Sequence, residues 1–331
     1  VSGAEPLLVA GAPRTGTTWI AEVLARAPGL TWINEPDNEW PNAFALRAKL
    51  PLGRYPALRP EDPGSRNYEE LWRRALGGYR QGRYREALVW KLDRGERTMA
   101  ELWRCLCEPT APSMSPRLRA ASLLGVAPPS HRDSGTGRVM VKSVHAPLAL
   151  EWIHARLRPR MVVVLRHPLN TIAGWLDLGW GGCSLATNPL VRDRFAGRFG
   201  LPVLGAGTSR LQEATWEIGL FTTVLEDAVA RHPDWVASSH DALCLDPAAG
   251  FRRLFADLGL TWTEGAEAFL RASDRPGSGF DTYRVAAEQP ERWRTRLTSA
   301  QLDEIWAVLS PIQAPWVEQV ARDIETGAAR G

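Results

Sequence analysis

The sequence predicts an α/β fold: a doubly wound, mostly parallel sheet flanked by helices, with a helical insertion over the cleft where such sheets bind ligands. Three observations predict it. The runs LLVA at 7–10 and MVVVL at 161–165 are short and continuously apolar, as strands buried on both faces are. Each leads through a turn into a stretch of helical composition. Strand and helix signals then alternate with short connections, interrupted by one long segment of different character at about 39–137.

The elements follow in order. After the first strand and a Gly-Pro-containing loop, a helix is expected over 17–27, stopped by Pro28-Gly29. Residues 30–34 read as a second strand, ending before Glu35-Pro36. The insertion carries helical pieces near 68–77, 99–107 and 116–124 between Pro-, Gly- and Arg-rich loops. RVMVKS at 138–143 is a strand, 148–158 a helix, 161–165 the buried strand and 170–178 a helix whose entrance suits Pro168. Residues 179–209 are Gly-rich without periodicity and read as a mobile loop. A long helix over 210–231, a strand over 235–239, a helix over 248–258, a loop over 274–296 and a helix over 299–309 complete the reading as one domain, 1–331.

Bulk composition narrows the function. Of 331 residues, 44% are hydrophobic and 23% charged, ordinary for a soluble globular protein. Forty basic against 37 acidic residues leave a net charge of +3, too balanced for a dedicated nucleic-acid binder. No apolar run approaches a membrane span, and the first residues lack the basic segment of a signal peptide, so a cytoplasmic protein is expected. Cys105, Cys107, Cys183 and Cys244 form no zinc-like spacing and read as reduced thiols; no metal is expected. The 15 tryptophans, Trp175 and Trp180 among them, are read mainly as core.

Two segments carry chemistry. Gly11 to Thr18 matches G-x-x-x-x-G-K-[ST] except that Thr17 stands at the lysine position. A strand, a small-residue loop and a helix N-terminus make a cradle for phosphate, because free backbone N–H groups and the helix dipole both favour an anion. Arg14 keeps a cation in the loop. The missing lysine argues against an ordinary ATPase or GTPase. In the second segment Arg166 follows the MVVVL strand, in a turn that opens the next helix; a guanidinium there can grip a phosphate through two hydrogen bonds. Two such sites suit a nucleotide with phosphates on two sides of its ribose.

GAPRTGTTW and VVVLRHPLNTIAGW resemble the sulfotransferases that use 3′-phosphoadenosine 5′-phosphosulfate (PAPS). The resemblance implies that Arg14, Thr15, Gly16, Thr17 and Thr18, with the adjoining Trp19, hold the 5′-phosphosulfate, and that Arg166 holds the 3′-phosphate. The family usually has a serine eight residues after that arginine, whereas this chain has Gly174, with Thr171 one turn earlier. Lys142 to Leu148 (KSVHAPL) is similar to the family's Lys-Thr-His-Leu-Pro-Leu segment, SHDALCLDP at 239–247 to the segment before its late helix, and Trp293 to Thr298 to a segment near its C-terminus.

Transfer of a sulfuryl group to a hydroxyl or phenol of a small-molecule or glycan acceptor needs a held donor, a stabilised leaving oxygen and a base for the acceptor proton. His145 and Glu35 are both candidates for the base. Glu35 would need an apolar setting, such as Trp32 and Trp40 could give, to raise its pKa. Arg14 and Lys142 are candidates for aiding the leaving group. Arg284, Arg292, Arg294 and Arg296 form a late basic cluster, of which Arg284 is the candidate to close on the 3′-phosphate. His154, His232 and His240 receive no functional reading. The Arg-, Ala- and Gly-rich composition points to a bacterial source and a specialised metabolite as acceptor. A P-loop kinase of a small molecule, or a nucleotide-binding relative without catalysis, are the alternatives.

Overall fold

A computed structural model describes residues 4–39, 42–80, 131–132, 137–179, 185–279 and 281–328. The expected helices at 99–107 and 116–124, together with Trp40, Trp180, Cys105, Cys107 and Cys183, lie outside the described residues. The fold is α/β, and the chain divides into two compact units: 1–10 with 29–162, and 11–28 with 163–331.

In the first unit, β1 (Leu7–Gly11), β2 (Leu30–Asn34) and β5 (Arg138–Ser143) lie side by side in the order β2-β5-β1, all parallel, and the first half of β6 (Arg160–Leu165) follows β1. Leu7, Leu8 and Val9 are wholly buried, which is why an unalternating apolar run forms a strand here. The register sets Val9 and Ala10 level with Lys142 and Ser143, and Asn34 level with Lys142, so the carboxyl ends of β1, β2 and β5 coincide. A separate two-residue ribbon pairs β3 (Tyr79–Arg80) with β4 (His131–Arg132) antiparallel. Among the described residues, three α-helices belong to this unit: α2 (Ala43–Lys49), capped by the Asn42 side chain, α3 (Arg66–Leu76), capped by Ser65, and α4 (Leu150–Leu157). Trp152 in α4 is fully buried, and its indole N–H donates to the Asp62 carbonyl at 2.9 Å.

The second unit holds the loop after β1, α1 (Thr17–Leu24), the end of β6, α5 (Pro168–Leu176), α6 (Arg210–Arg231) and β7 (Val236–Ser239), which is β6's neighbour. It continues with α7 (His240–Leu245), α8 (Pro247–Asp257), α9 (Glu264–Ser273), α10 (Ser299–Leu309) and α11 (Pro315–Ala328). Ser209 and Thr298 each start their helix with a reciprocal capping box, closed by Gln212 and Gln301. The segment expected as a mobile loop over 179–209 instead contains short helical turns at Leu185–Thr187, Pro189–Val191 and Arg192–Ala196, seated by buried Leu185, Val191 and Phe195. α2, α7, α9 and α11 were not expected from the sequence.

Candidate functional site

In the second unit the chain leaves β1 at Gly11, where a Cβ would stand 2.7 Å from both the Val164 carbonyl oxygen and the Thr15 hydroxyl. Only glycine fits so close an approach. Three consecutive loop carbonyls are then taken. Thr15 Oγ1 donates to Ala12 O at 2.7 Å, the Trp175 indole N–H to Pro13 O at 2.9 Å, and Arg166 Nη1 to Arg14 O at 2.9 Å. Gly16 caps α1 in a left-handed conformation, φ 86°, with no side-chain cap, which leaves the first-turn N–H groups for a ligand. Arg14 is also left-handed, φ 72°, a rare state for a residue with a Cβ. The sequence reading gave Trp175 to the core; it is buried, and it also braces the loop.

Arg166 is largely buried at the carboxyl end of β6, and its Nε has no hydrogen-bond partner among the described residues, with Asp241 Oδ1 3.9 Å away. Burial brings its pKa down to about 10, Asp241 opposing and Arg14 and Arg296 adding to the fall. Asp241 also fixes the turn itself, accepting from the His167 N–H at 2.7 Å. Arg14 Nη2 and Arg284 Nη2 both donate to the Gly279 carbonyl, at 3.1 and 3.0 Å. Burial, then Arg284, Arg296 and Arg292, hold the Arg14 guanidinium below its ordinary pKa. Such a convergence of like charge is stabilised by an anion. Arg294 turns elsewhere, pairing with Glu291 and donating to the Asp323 carbonyl at 3.0 Å. The Thr171 hydroxyl reaches back to the His167 carbonyl at 3.4 Å, within its own helix.

His240 is the residue that sequence reasoning passed over. A Cβ added at Gly16 would lie 2.0 Å from its ring, so the buried imidazole fills the space beside the left-handed glycine. Burial and the Arg166 guanidinium lower its pKa to about 4, against the pull of Asp241, which keeps the ring neutral at pH 7. Trp19 packs edge-on to His240 and to Phe251, with centroids 5.7 and 4.9 Å apart.

The first unit carries a second cluster. Glu35 follows β2 with φ 44°, and its N–H donates to the Lys142 carbonyl at 2.7 Å. Its carboxylate pairs with the buried Lys142 ammonium and accepts from Asn38 Nδ2 at 2.9 Å. Burial, the largest single influence, pushes the Glu35 carboxyl up, but Lys142, His145 and the Asn38 hydrogen bond together hold it below the usual carboxylate value. The pKa is thus lowered, not raised as an apolar setting would have it, and the carboxylate sits in an ion pair. His145 is buried and stacks on Tyr55 at 5.9 Å, and its Nδ1 has no hydrogen-bond partner among the described residues. Burial, helped by the Lys49 charge, lowers its pKa to about 3. It too is unprotonated at neutrality.

Three buried charges complete this cluster without having been expected. Asp37 accepts the Ser143 hydroxyl, 2.7 Å at the nearer oxygen, and Ser143 Oγ in turn accepts the His145 N–H at 3.1 Å. Lys49 Nζ donates to Glu39 Oε2 at 2.6 Å and to the Asp37 carbonyl at 3.0 Å, and Arg54 lies 3.3 Å from Glu39. The one sequence signal was the acidic run Glu35, Asp37, Glu39 directly after a strand. Among the described residues, no group of three or more His, Cys, Asp or Glu is placed to hold a metal ion, and no helix is long and apolar enough to cross a membrane.

No protein-family model matches the chain, and no curated protein does. Among solved structures, a sulfotransferase from Mycobacterium avium is similar over 93% of this chain and 76% of its own, with 16% identity and a TM-score of 0.42. The sulfotransferase domain of the curacin biosynthetic pathway is similar over 98% of this chain and 99% of its own, at 13% identity and TM-score 0.45. That of the Synechococcus PCC 7002 olefin synthase covers 98% and 95%, at 13% and 0.43. These values are low, and the residues described above carry the functional conclusion.

Proposed function

We propose that this chain is a sulfotransferase that moves a sulfuryl group from PAPS to the hydroxyl of a small-molecule acceptor. One observation carries the reading: an uncapped helix N-terminus behind a loop with three clamped carbonyls, beside a largely buried Arg166 whose Nε lacks a hydrogen-bond partner among the described residues. Two anion sites joined through the Arg14–Arg166 contact suit a nucleotide with a phosphorylated 3′ and a phosphosulfated 5′ position.

PAPS supplies the activated sulfuryl group. Thr15, Gly16, Thr17 and Thr18 hold its 5′ end through loop and first-turn N–H groups, Arg14 supplies positive charge for the leaving oxygen, and Arg166 holds the 3′-phosphate. Trp19 and His240 keep the first turn in place by packing. We assign the base to Glu35. It is ionised at neutrality, its side chain keeps 20% exposure, and its left-handed backbone is the strain that accumulates where a side chain must be aimed. Lys142 holds the carboxylate ready. His145, more deeply buried, steadies the cluster.

Thermal unfolding with adenosine 3′,5′-bisphosphate and, separately, with ATP and magnesium tests the donor. The bisphosphate is expected to raise the Tm and ATP to leave it nearly unchanged; the reverse would make the chain a kinase. Transfer of radiolabelled sulfate from PAPS to a panel of alcohols and phenols tests the reaction. Bisphosphate binding without transfer to any of them would favour a nucleotide-binding protein without catalysis.

A further inference from the structure

Gly174 sits inside α5, the helix that follows Arg166. Glycine is poorly suited to a helix interior, and this one is not among the residues with positive φ, so backbone freedom is not its reason. The space beside it is. A Cβ at 174 would meet the Arg14 Cβ at 3.6 Å, its Nε at 3.8 Å and its Cγ at 3.9 Å. A methyl group fits at ordinary contact distance; an atom beyond it must share the volume of the Arg14 stem. Arg14 is held there from behind, since its left-handed backbone offers its carbonyl to Arg166 Nη1 at 2.9 Å. The loop arginine thus leans over the helix of the second anion site.

We infer that Arg14 and Gly174 are a coupled pair: with its stem across the bare helix surface at Gly174, Arg14 joins Arg166 in gripping the phosphate monoester on the 3′ position of the nucleotide. The inference rests on the donor reading above. Three further guanidiniums, Arg284, Arg292 and Arg296, act on Arg14, and Arg296 acts on Arg166 as well. That density of positive charge suits a phosphate dianion. Arg14 is then a determinant of 3′-phosphate specificity as well as a cation of the first loop.

The test is calorimetric titration of wild type, Arg14→Gln, Gly174→Ser and the double variant with adenosine 3′,5′-bisphosphate and with adenosine 5′-monophosphate. Arg14→Gln is expected to weaken both nucleotides, since Arg14 also faces the 5′ end, but the bisphosphate by roughly ten- to hundredfold more than the monophosphate, as loss of an additional charge-assisted contact to the 3′-phosphate does. Gly174→Ser should weaken the bisphosphate in the wild-type background by displacing the Arg14 stem. In the double variant the hydroxyl takes the vacated volume, so the bisphosphate binds more tightly than to Arg14→Gln alone. Ligand-free thermal unfolding identifies any variant that misfolds. Equal weakening of both nucleotides by Arg14→Gln, or a Gly174→Ser variant that binds like wild type, would overturn the pair. Failure of the wild type to bind the bisphosphate at all would remove the donor reading, and the pair with it.

Discussion

Replacing Asp37 by asparagine isolates the electrostatic strain of the first unit's polar cluster. Asp37 is wholly buried. Burial raises its pKa from 3.8 to about 6; Lys49 and the Ser143 hydroxyl oppose the rise and Glu35 adds to it. An acid whose pKa is higher in the folded state contributes stability that is fully present below pH 3.8 and lost as the pH climbs through about 6. The difference between those values corresponds to about 3 kcal/mol over the whole window, and about 1.4 kcal/mol of it falls between pH 5 and pH 8. Asparagine cannot ionise, and its Oδ1 can still accept the Ser143 hydroxyl. Thermal or urea unfolding of wild type and Asp37→Asn at both pH values measures the effect. The variant should gain about 1.4 kcal/mol on wild type between pH 5 and pH 8. Glu226, raised to about 7 by burial, titrates in the same window but is common to both proteins and cancels. A difference that stays constant from pH 5 to pH 8 would refute the reasoning, whatever its sign.

Glu35→Gln should lower turnover about 10²- to 10⁴-fold while calorimetry shows donor affinity unchanged, and His145→Ala should cost less than about tenfold in turnover. Gly16→Ala places a Cβ 2.0 Å from the His240 ring in a left-handed backbone; it should cost about 2 kcal/mol or more in stability and abolish bisphosphate binding in the same titration. Trp175→Phe removes the donor to Pro13 O and should weaken bisphosphate binding by about 1 kcal/mol, with unchanged far-ultraviolet circular dichroism.

The strands were legible because each is a short apolar run whose burial is its own signature. Leu30–Asn34 and Arg138–Ser143 fall where the sequence places them, and the long helix Arg210–Arg231 has the bounds expected, with a Ser209 cap that the structure adds. α9 was missed because only Ala266 and Leu270 of its apolar residues are buried, too sparse a stripe to show periodicity among its charges. The cradle could be read from its glycines and threonines, since local backbone demands write themselves into local sequence. The polar cluster could not. Asp37 and Glu39 look like solvent-facing loop acids until Lys49, from a helix beyond them, meets their backbone and carboxylate. His240 is similar: only tertiary packing sets its ring beside Gly16. The field at Glu35 could not be read either, because Lys142 approaches it from one strand away and strand pairing is not written beside Glu35.

Three described residues other than glycine have positive φ: Arg14, Glu35 and Arg158. Glycine would relieve each of them, by about 1 kcal/mol. A library selected for cellular abundance should therefore enrich glycine at 14 and 158, whereas at 35 the loss of the carboxylate leaves the buried Lys142 ammonium unpaired and outweighs the backbone relief. Arg158 ends α4 as a left-handed cap, and glycine there should be neutral for activity. At 14 the same enrichment should coincide with loss of activity, so that the two selections disagree at 14 and agree at 158. A mutational scan read out both ways would then mark the functional residues without any ligand or acceptor having been identified.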